Sequence, residues 1–306
     1  MTSWAISPLR YPGGKGALAP FLGRLLEVQF PRCEVYVEPF AGGAGAALRL
    51  LYDEYVREIV LNDINPGVAA FWRAVFLHTH DLIDCVRSAS LTVEAWREQQ
   101  AIYRNPEGVD DVALGFATFY LNRTNRSGIL DAWPIGGLEQ GGLWKIDARF
   151  NREVLARKIS ELGRYRNRVT VLQEDGIRLA SRMLNQRHFI YADPPYLQKG
   201  SDLYVDAVGW LDHLRLADTL STGSGRWMVT YDHDPRVYKL YPRCRAAQFS
   251  VAHRARSYRI GTEVAIFAPQ VRGIDLAGLG SNARFVQLAD LGPGSQWRSA
   301  AAADQP

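Results

Sequence analysis

The four residues Asp193-Pro194-Pro195-Tyr196 follow the short apolar run Phe189-Ile190-Tyr191-Ala192, which has the composition of a buried strand. Proline lacks an amide hydrogen and has a fixed φ, so the tetrapeptide cannot continue a sheet ladder. The Asp193 carboxylate and the neighbouring carbonyl groups must therefore face something outside the sheet. Because Asp-Pro and Pro-Pro pairs also mark ordinary turns, these residues alone fit a plain turn as well as a polar binding site.

A second cluster contains Gly42, Gly43 and Gly45, which follow the β-like residues "VYV" and open a helical pattern. Glycine lets a ligand approach the backbone closely, and a helix N-terminus offers free amide hydrogens, so this pattern is typical of nucleotide-like ligands. Asp63 ends the next predicted strand, where an acid commonly binds the ribose hydroxyls of an adenosine-bearing cofactor. The adjacent Asn65-Pro66 pair also favours a helix N-cap at Asp63, and the two roles are compatible.

These clusters need a scaffold that brings them together, and the sequence indicates an α/β sheet. Strand-like runs recur along the chain, several of them followed by an acidic or glycine-containing turn and a helical pattern. Six strands are predicted, in "VYV", "IVL", "VTVL", "HFIYADPPY", "RWMVTYDHD" and "EVAIFAP". Strands that alternate with helices favour a doubly wound sheet, in which ligands lie beyond the carboxyl ends of the strands. We therefore expect the polar clusters to converge at one edge.

Residues 78–160 interrupt this alternation. Their first part has helical patterns, and their second part is rich in Gly, Asn and Trp, with turn signals at Gly136-Gly137 and Gly141-Gly142. We predict a smaller, mostly helical inserted domain with an exposed hairpin or loop. The main domain then comprises 1–77 and 161–270, and 271–306 is a C-terminal extension, partly disordered over "GPGSQWRSAAAADQP".

The composition is that of an ordinary globular protein, with 47% hydrophobic and 22% charged residues. The N-terminus lacks a basic leader and an apolar core, so we expect no signal peptide, and the apolar run 68–77 is too short to span a bilayer. Three distant cysteines without a CxxC pair predict neither a disulfide framework nor a zinc site. We therefore expect a reduced, cytoplasmic setting.

Positive charge is concentrated in two segments, 157–168 and 243–259, and the second holds five arginines and no acid. Such segments are often solvated helix faces, and they also suit a polyanionic partner. Both interpretations stay open on composition alone.

Four motifs, in the order "RYPGGKGALAPFL", "VEPFAGGAGAAL", "LNDIN" and "ADPPY", resemble the Dam-like family of DNA adenine N6-methyltransferases. Weaker matches are "LNRTNRSG", "LDHLRLADTL" and "ARSYRIGTEVAIF", so the likeness covers nearly all of the predicted folded chain. It implies a Rossmann-like methyltransferase sheet, an inserted target-recognition domain, the cofactor S-adenosyl-L-methionine and an adenine in double-stranded DNA as the target. Tyr11 departs from the pattern, because some relatives carry Trp there.

The resemblance gives the tetrapeptide a chemical role. The amino group of adenine is a poor nucleophile because its lone pair is delocalised into the ring. Asp193 and the Pro194 carbonyl would accept its two N–H bonds and favour the pyramidal, nucleophilic geometry. Tyr196 would stack on the base once it has left the duplex. The catalytic set is thus Asp193, Pro194, Pro195 and Tyr196.

The resemblance also implies a set of cofactor contacts. Lys15 can reach the methionine carboxylate as a point charge. Tyr11 and Phe40 either cover the cofactor or pack in the core, and Asp175 either binds the cofactor's adenine or caps a helix. The full predicted cofactor-binding set is Tyr11, Lys15, Glu38, Phe40, Gly42, Gly43, Gly45, Asp63, Asp175 and Asp193.

The inserted domain is expected to contact DNA. Arginine and asparagine read base edges, lysine binds phosphate, and an aromatic side chain can enter the gap left by an extruded base. A polar surface hairpin with buried tryptophans is the alternative. The predicted contacts are Arg123, Asn125, Arg126, Trp133, Trp144 and Lys145. His213, in "LDHLRL", is expected to be solvated or to cap a helix rather than to act in catalysis.

The sequence as a whole predicts a site-specific DNA adenine methyltransferase that uses base flipping and no metal. An amino-methyltransferase of RNA or of protein glutamine is the first alternative, and a binding module that has lost catalysis is the second. Intact Asp193, Lys15 and Asp63 argue against the second. We further expect a cytoplasmic protein that acts on DNA as a monomer and associates with the nucleoid through DNA. A restriction nuclease encoded elsewhere is a candidate partner. The recognition sequence cannot be read from these residues.

Overall fold

The computed structural model describes residues 6–11, 14–29, 33–185, 187–195, 209–253 and 259–286. Within them, eight strands form one sheet. In chain order the strands are β1 Val35–Glu38, β2 Glu58–Asn62, β3 Val169–Leu172, β4 His188–Ala192, β5 Arg226–Asp232, β6 Arg245–His253, β7 Arg259–Phe267 and β8 Ser281–Val286.

Helices fill most of the segments between these strands. Short 3-10 helices cover Lys15–Leu18, Arg126–Gly128 and Arg166–Arg168. The α-helices of the described residues are α1 Ala19–Glu27, α2 Gly45–Tyr52, α3 Pro66–Leu77, α4 Thr79–Ser88, α5 Val93–Arg104, α6 Asp111–Thr124, α7 Arg152–Gly163, α8 Gly176–Met183, α9 Trp210–Thr222 and α10 Pro235–Leu240.

The strand order is β3-β2-β1-β4-β5-β7-β6-β8. The five strands from β3 to β5 are parallel, whereas β7, β6 and β8 each pair antiparallel with their neighbours. The chain moves outward from β1 to β3 and then returns to β4 and β5, so the direction of winding reverses between β1 and β4. In open α/β sheets, the crevice beyond the carboxyl ends of the strands at such a reversal is the usual ligand site.

The centre of the sheet is apolar and aromatic, as expected for strands covered on both faces. The Tyr36 ring of β1 lies beside both Phe189 and Tyr191 of β4, with ring centroids 6.3 Å apart in each pair. All three side chains are buried. This packing fixes β1 against β4 and thereby fixes the crevice between their carboxyl ends.

The prediction of a doubly wound α/β sheet is confirmed. Each of the six predicted runs overlaps an observed strand. Two strands, β6 and β8, were not predicted. β6 occupies most of the basic segment 243–259, and this described part is a strand rather than a helix face, because its residues from Arg245 to His253 pair with β7. β8 lies in the predicted C-terminal extension and pairs with β6. The proposed disordered tail lies outside the described residues.

The inserted region 78–160 contains α4, α5, α6 and most of α7, with mostly irregular chain between α6 and α7, as its composition indicated. Its longest helix, α6, packs on α3 through stacked Phe71 and Phe119 rings, whose centroids are 5.4 Å apart. Arg73 and Asp111 join the same two helices by an ion pair of 2.7 Å. The helices of this region therefore share one apolar core with the sheet. Among the described helices, none has the length and apolar character needed to cross a membrane.

Candidate active site

Asp193 stands directly after β4, at the carboxyl end of a central strand. Its Oδ1 accepts a hydrogen bond of 2.7 Å from the Thr230 hydroxyl on β5. Thr230 in turn lies 2.9 Å from the Tyr191 hydroxyl. The two carboxylate oxygens have different partners, because Oδ2 lies 3.0 Å from Nζ of Lys15. The Asp193 side chain is 23% exposed, so it is held in place and still faces the crevice.

Lys15 begins a 3-10 helix and is almost completely buried. Its ammonium group lies between two carboxylates, with Asp193 at 3.0 Å and Glu263 Oε1 at 3.4 Å. Burial of an ammonium group is expensive unless it is paired, and here two acids pair with it. The expected contact of Lys15 with the methionine carboxylate stays a prediction. Glu263 was missed at the sequence level, although an acid at the head of the apolar run "EVAIF" was a usable signal.

The glycine-rich turn between β1 and α2 supports the other side of the crevice. Gly42 has a φ of 44° and Ala44 a φ of 47°, which folds the backbone tightly. A Cβ atom added to Gly42 or Gly43 would come within 2.6 Å of the Tyr11 side chain. Tyr11 therefore lies directly on this turn, which explains why glycine is required there.

Asp63 ties β2 to the glycine-rich turn. Its Oδ2 accepts a hydrogen bond of 2.9 Å from the Gly42 amide, and its Oδ1 accepts one of 3.0 Å from the Asn65 amide. The N-cap of α3 is Asn65, whose side chain accepts from the amides of Gly67 and Val68. The proposed N-cap role of Asp63 was therefore wrong by two residues.

Asn62 joins the loops that follow three parallel strands. Its side-chain amide donates to the carbonyls of Pro39 and Glu174 at 2.9 Å each, and its Oδ1 accepts from the Glu174 amide at 3.0 Å. The residue is buried. The motif "LNDIN" contains Asn62, but its sequence alone does not predict this role. Its contacts explain how the edge of β1, β2 and β3 is kept in register.

Phe40 and Asp175 lie next to each other across two loops. Asp175 is the N-cap of α8 and accepts hydrogen bonds of 2.8 and 2.9 Å from the amides of Ile177 and Arg178. Of the two roles considered, the helix cap is thus present, and contact with the cofactor stays a prediction. Phe40 is half-buried and lies over Gly176, where an added Cβ atom would be 2.7 Å from its ring.

Glu38, at the end of β1, is buried within the protein. Its Oε1 accepts a hydrogen bond of 3.0 Å from the Ala47 amide in the first turn of α2. Burial raises the pKa of Glu38 to about 8, because a buried carboxylate loses its hydration. The Glu38 side chain therefore supports α2, the helix that follows the glycine-rich turn. Its contact with the cofactor stays a prediction.

The predicted DNA contacts separate into interior and surface residues. Asn125 is fully buried: its Oδ1 accepts from Trp96 Nε1 at 2.6 Å, and its amide donates to the carbonyls of Ile129 and Leu130. Arg123 is half-buried and donates to the Arg149 carbonyl at 2.8 Å. The expected DNA contact of Asn125 is therefore wrong, because its buried polar groups are used within the protein, whereas the DNA contact of Arg123 stays a prediction.

The other four members of that group lie on the surface. Trp133 is 60% exposed and Trp144 66% exposed, and Arg126 and Lys145 are also exposed. One face of Trp133 stacks on Trp96, with centroids 6.3 Å apart. The alternative of a polar surface hairpin with buried tryptophans is therefore wrong, and the loop presents cationic and aromatic groups together.

Asn122 joins this loop to the segment that carries Tyr11 and Lys15. Its Oδ1 accepts from the Arg10 amide at 2.7 Å, and its amide nitrogen donates to the carbonyls of Arg10 and Gly128 at 3.0 and 2.9 Å. A Cβ atom at Gly128, which has a φ of 76°, would collide with the Arg10 carbonyl oxygen. The two segments are therefore in direct contact through a buried amide.

The remaining residues singled out in the sequence are Pro194, Pro195, Tyr196 and His213. Pro194 is buried and Pro195 half-buried, directly after Asp193. Tyr196 lies outside the described residues. His213 on α9 is fully buried against Tyr231, with ring centroids 5.5 Å apart, and burial lowers its pKa to about 4. The expectation that His213 is solvated or caps a helix is therefore wrong.

Comparison with known proteins places this geometry in a family context. The chain is 23% identical over 236 residues to the Type II methyltransferase M.CviBI of Paramecium bursaria Chlorella virus NC1A, which covers 76% of this chain and 86% of that protein. It is also 23% identical over 201 residues to the Type II methyltransferase M.MjaIII of Methanocaldococcus jannaschii, covering 61% and 68%.

Solved structures are similar only at a low level. The rRNA methyltransferase aviRa from Streptomyces viridochromogenes has a TM-score of 0.35 and 12% identity, covering 85% of this chain and 87% of its own. At these scores the likeness does not bear on function. The model of the D12 class N6 adenine-specific DNA methyltransferase family, by contrast, matches residues 11–259, from the Tyr11 segment to the start of β7. The chain belongs to that family.

Proposed function

We propose that this protein transfers a methyl group from S-adenosyl-L-methionine to the N6 amino group of an adenine in double-stranded DNA, and that Asp193 orients that amino group. The observation that carries the assignment to Asp193 is its position. It is a partly exposed carboxylate at the carboxyl end of β4, fixed by Thr230 on one oxygen and by Lys15 on the other.

The chemistry requires a group that makes a weak nucleophile reactive. Each carboxylate oxygen of Asp193 keeps a lone pair beyond those used by Thr230 and Lys15, so it can accept one N–H of the amino group. The Pro194 carbonyl accepts the other, and a proline has no amide hydrogen that could compete. Because Thr230 and Lys15 hold the carboxylate still, the amino group is oriented with little reorganisation during the reaction.

S-adenosyl-L-methionine, when bound, supplies an electrophilic methyl group on a sulfonium ion. The residues of the crevice fit such a group. The glycine-rich turn under Tyr11 has no room for additional Cβ atoms, and Asp63 offers a carboxylate suited to ribose hydroxyls. We assign Tyr11, Phe40 and Asp63 to cofactor binding, with the backbone of the Gly42–Gly45 turn beside them.

DNA binding is assigned to the surface residues of the loop after α6. Arg126 is suited to a base edge and Lys145 to a phosphate, while Trp133 and Trp144 can enter the space left by an extruded base. Tyr196 is assigned to stacking on that base. Asn125 is buried and shapes the loop from within, so it is not assigned to DNA. The names of the two Type II relatives support a role beside a separately encoded restriction nuclease. We further propose that the protein acts on DNA as a monomer in the cytoplasm.

The experiment that tests this function compares substrates. Purified protein is incubated with isotopically labelled S-adenosyl-L-methionine and, in parallel, with duplex DNA, structured RNA or a protein extract. The proposal predicts label only in the DNA, as N6-methyladenine in a constant sequence context. Transfer to RNA or to protein glutamine, with no modified adenine in DNA, would refute it.

A further inference from the structure

Glu263 is a buried acid that the proposed mechanism does not yet use. It lies in β7, next to β5, where it pairs in antiparallel register with Asp232. Only 2% of its side chain is exposed, and its Oε1 is 3.4 Å from Lys15 Nζ. A carboxylate in the interior of a sheet is costly unless it is paired. Because its partner Lys15 also pairs with Asp193, Glu263 is linked to the candidate active site as well as to the packing of the sheet.

The three side chains form a bridge with one closed end and one open end. Glu263 is 2% exposed, Lys15 7% and Asp193 23%. The first residue comes from β7, the second from the N-terminal 3-10 helix and the third from the end of β4. The only member with substantial exposure is therefore the one assigned to the substrate amino group.

The charges of the bridge do not cancel. One ammonium group is shared by two carboxylates, so the three groups carry a net charge of −1 if all are ionised. Without Glu263, the ammonium group would not be shared with a second carboxylate, and its full attraction would reduce the strength of Asp193 as a hydrogen-bond acceptor. The flexible four-carbon stem of the lysine would also lose the anchor that Glu263 provides.

We propose that Glu263 is a positioning residue for methyl transfer, which holds the Lys15 ammonium group in place and keeps Asp193 a strong acceptor. The inference rests on the proposed role of Asp193 and adds a residue that acts on it through Lys15. Glu263 does not touch the substrate. Its contribution is therefore expected in the rate of the chemical step rather than in substrate binding.

The test is a double-mutant cycle with Glu263→Gln, Lys15→Gln and the combined variant, measured as single-turnover methyl transfer at saturating DNA and cofactor. Glu263→Gln preserves the size of the side chain. It is expected to slow the step by at least about tenfold while the affinities for DNA and S-adenosylhomocysteine change by less than about threefold. The combined variant should be no slower than Lys15→Gln, since Glu263 acts through the lysine. Glu263→Asp should recover part of the rate.

A matched control is Asp111→Asn, which removes the acid of the Arg73–Asp111 ion pair between α3 and α6. It should lower the melting temperature without changing the methyl-transfer rate. The proposal is overturned if Glu263→Gln is as fast as wild type. It is also overturned if the two losses multiply in the combined variant, or if the rate falls only in step with the melting temperature.

Two further variants keep the test decisive. If Glu263→Gln does not fold, Glu263→Asp is compared in the wild-type and Lys15→Gln backgrounds, and slowing in both backgrounds contradicts the proposal. Asp193→Asn separates this inference from the proposed function. An active Asp193→Asn enzyme refutes the role of Asp193 itself, whereas an inactive one beside a fully active Glu263→Gln enzyme refutes only the role of Glu263.

Discussion

Asn122→Ala should destabilise the protein and weaken cofactor binding together. The substitution removes three hydrogen bonds made by a buried side chain, two to Arg10 and one to Gly128. At roughly 1 kcal/mol net for each bond, the free energy of unfolding should fall by about 3 kcal/mol. For a chain of 306 residues, that corresponds to a fall in melting temperature of roughly 5 °C. Because Arg10 precedes Tyr11, the segment over the glycine-rich turn should also loosen.

The assay combines thermal unfolding with calorimetric titration of S-adenosylhomocysteine and of duplex DNA. Asn125→Ala is the matched control, since Asn125 is also buried and its side chain also makes three hydrogen bonds, to Trp96, Ile129 and Leu130. Both variants should lose similar stability and some DNA affinity. Only Asn122→Ala should weaken S-adenosylhomocysteine binding, by about tenfold or 1.4 kcal/mol.

Equal cofactor affinity in the two variants would refute this reasoning. It would mean that the contact between Asn122 and Arg10 does not control the position of Tyr11 and Lys15. Unchanged melting temperatures would refute it differently, because the buried amide would then contribute nothing to the folded state.

Three further variants test the buried acid of the site and the loop after α6. Glu38 has a folded pKa of about 8, above its unfolded value, so its contribution to stability is full below about pH 4.5 and is lost as the pH rises through about 8. Glu38→Gln should therefore gain in melting temperature relative to wild type between pH 6 and pH 9, and a constant difference would contradict the buried acid. Arg126→Ala should relax the choice of methylation sequence. Lys145→Ala should reduce by about one the steepness of the plot of log affinity for DNA against log salt concentration. Unaltered methylation motifs and DNA affinities in both variants would contradict a recognition role for the loop.

The parallel half of the sheet was predictable because its signals are local. Strand "VTVL" has the same bounds in the structure as in the prediction, and the prolines after β4 end that strand as expected. By contrast, β6 contains polar and small residues such as Gln248 and Ser250, and it becomes a strand through pairing with β7 and β8. A strand that is specified by distant partners leaves little periodic signal in its own sequence.

The candidate site was predictable in its motifs but not in its contacts. Asp193 and Lys15 were both identified, yet nothing local shows that they lie 3.0 Å apart or that Glu263 shares the lysine. Asn125 was assigned to DNA because an asparagine amide can read a base edge. The same donor and acceptor groups also satisfy buried backbone and indole partners, and only the fold distinguishes the two uses.

The most direct test of the central claim is the single-turnover rate of methyl transfer by Asp193→Asn on duplex DNA. The account predicts a rate below about a tenth of the wild-type value, a loss of more than about 1.4 kcal/mol in transition-state stabilisation. Melting temperature and DNA affinity should stay close to those of wild type. A variant that keeps more than that tenth, or that loses activity only because it unfolds, would contradict the claim that Asp193 orients the adenine amino group.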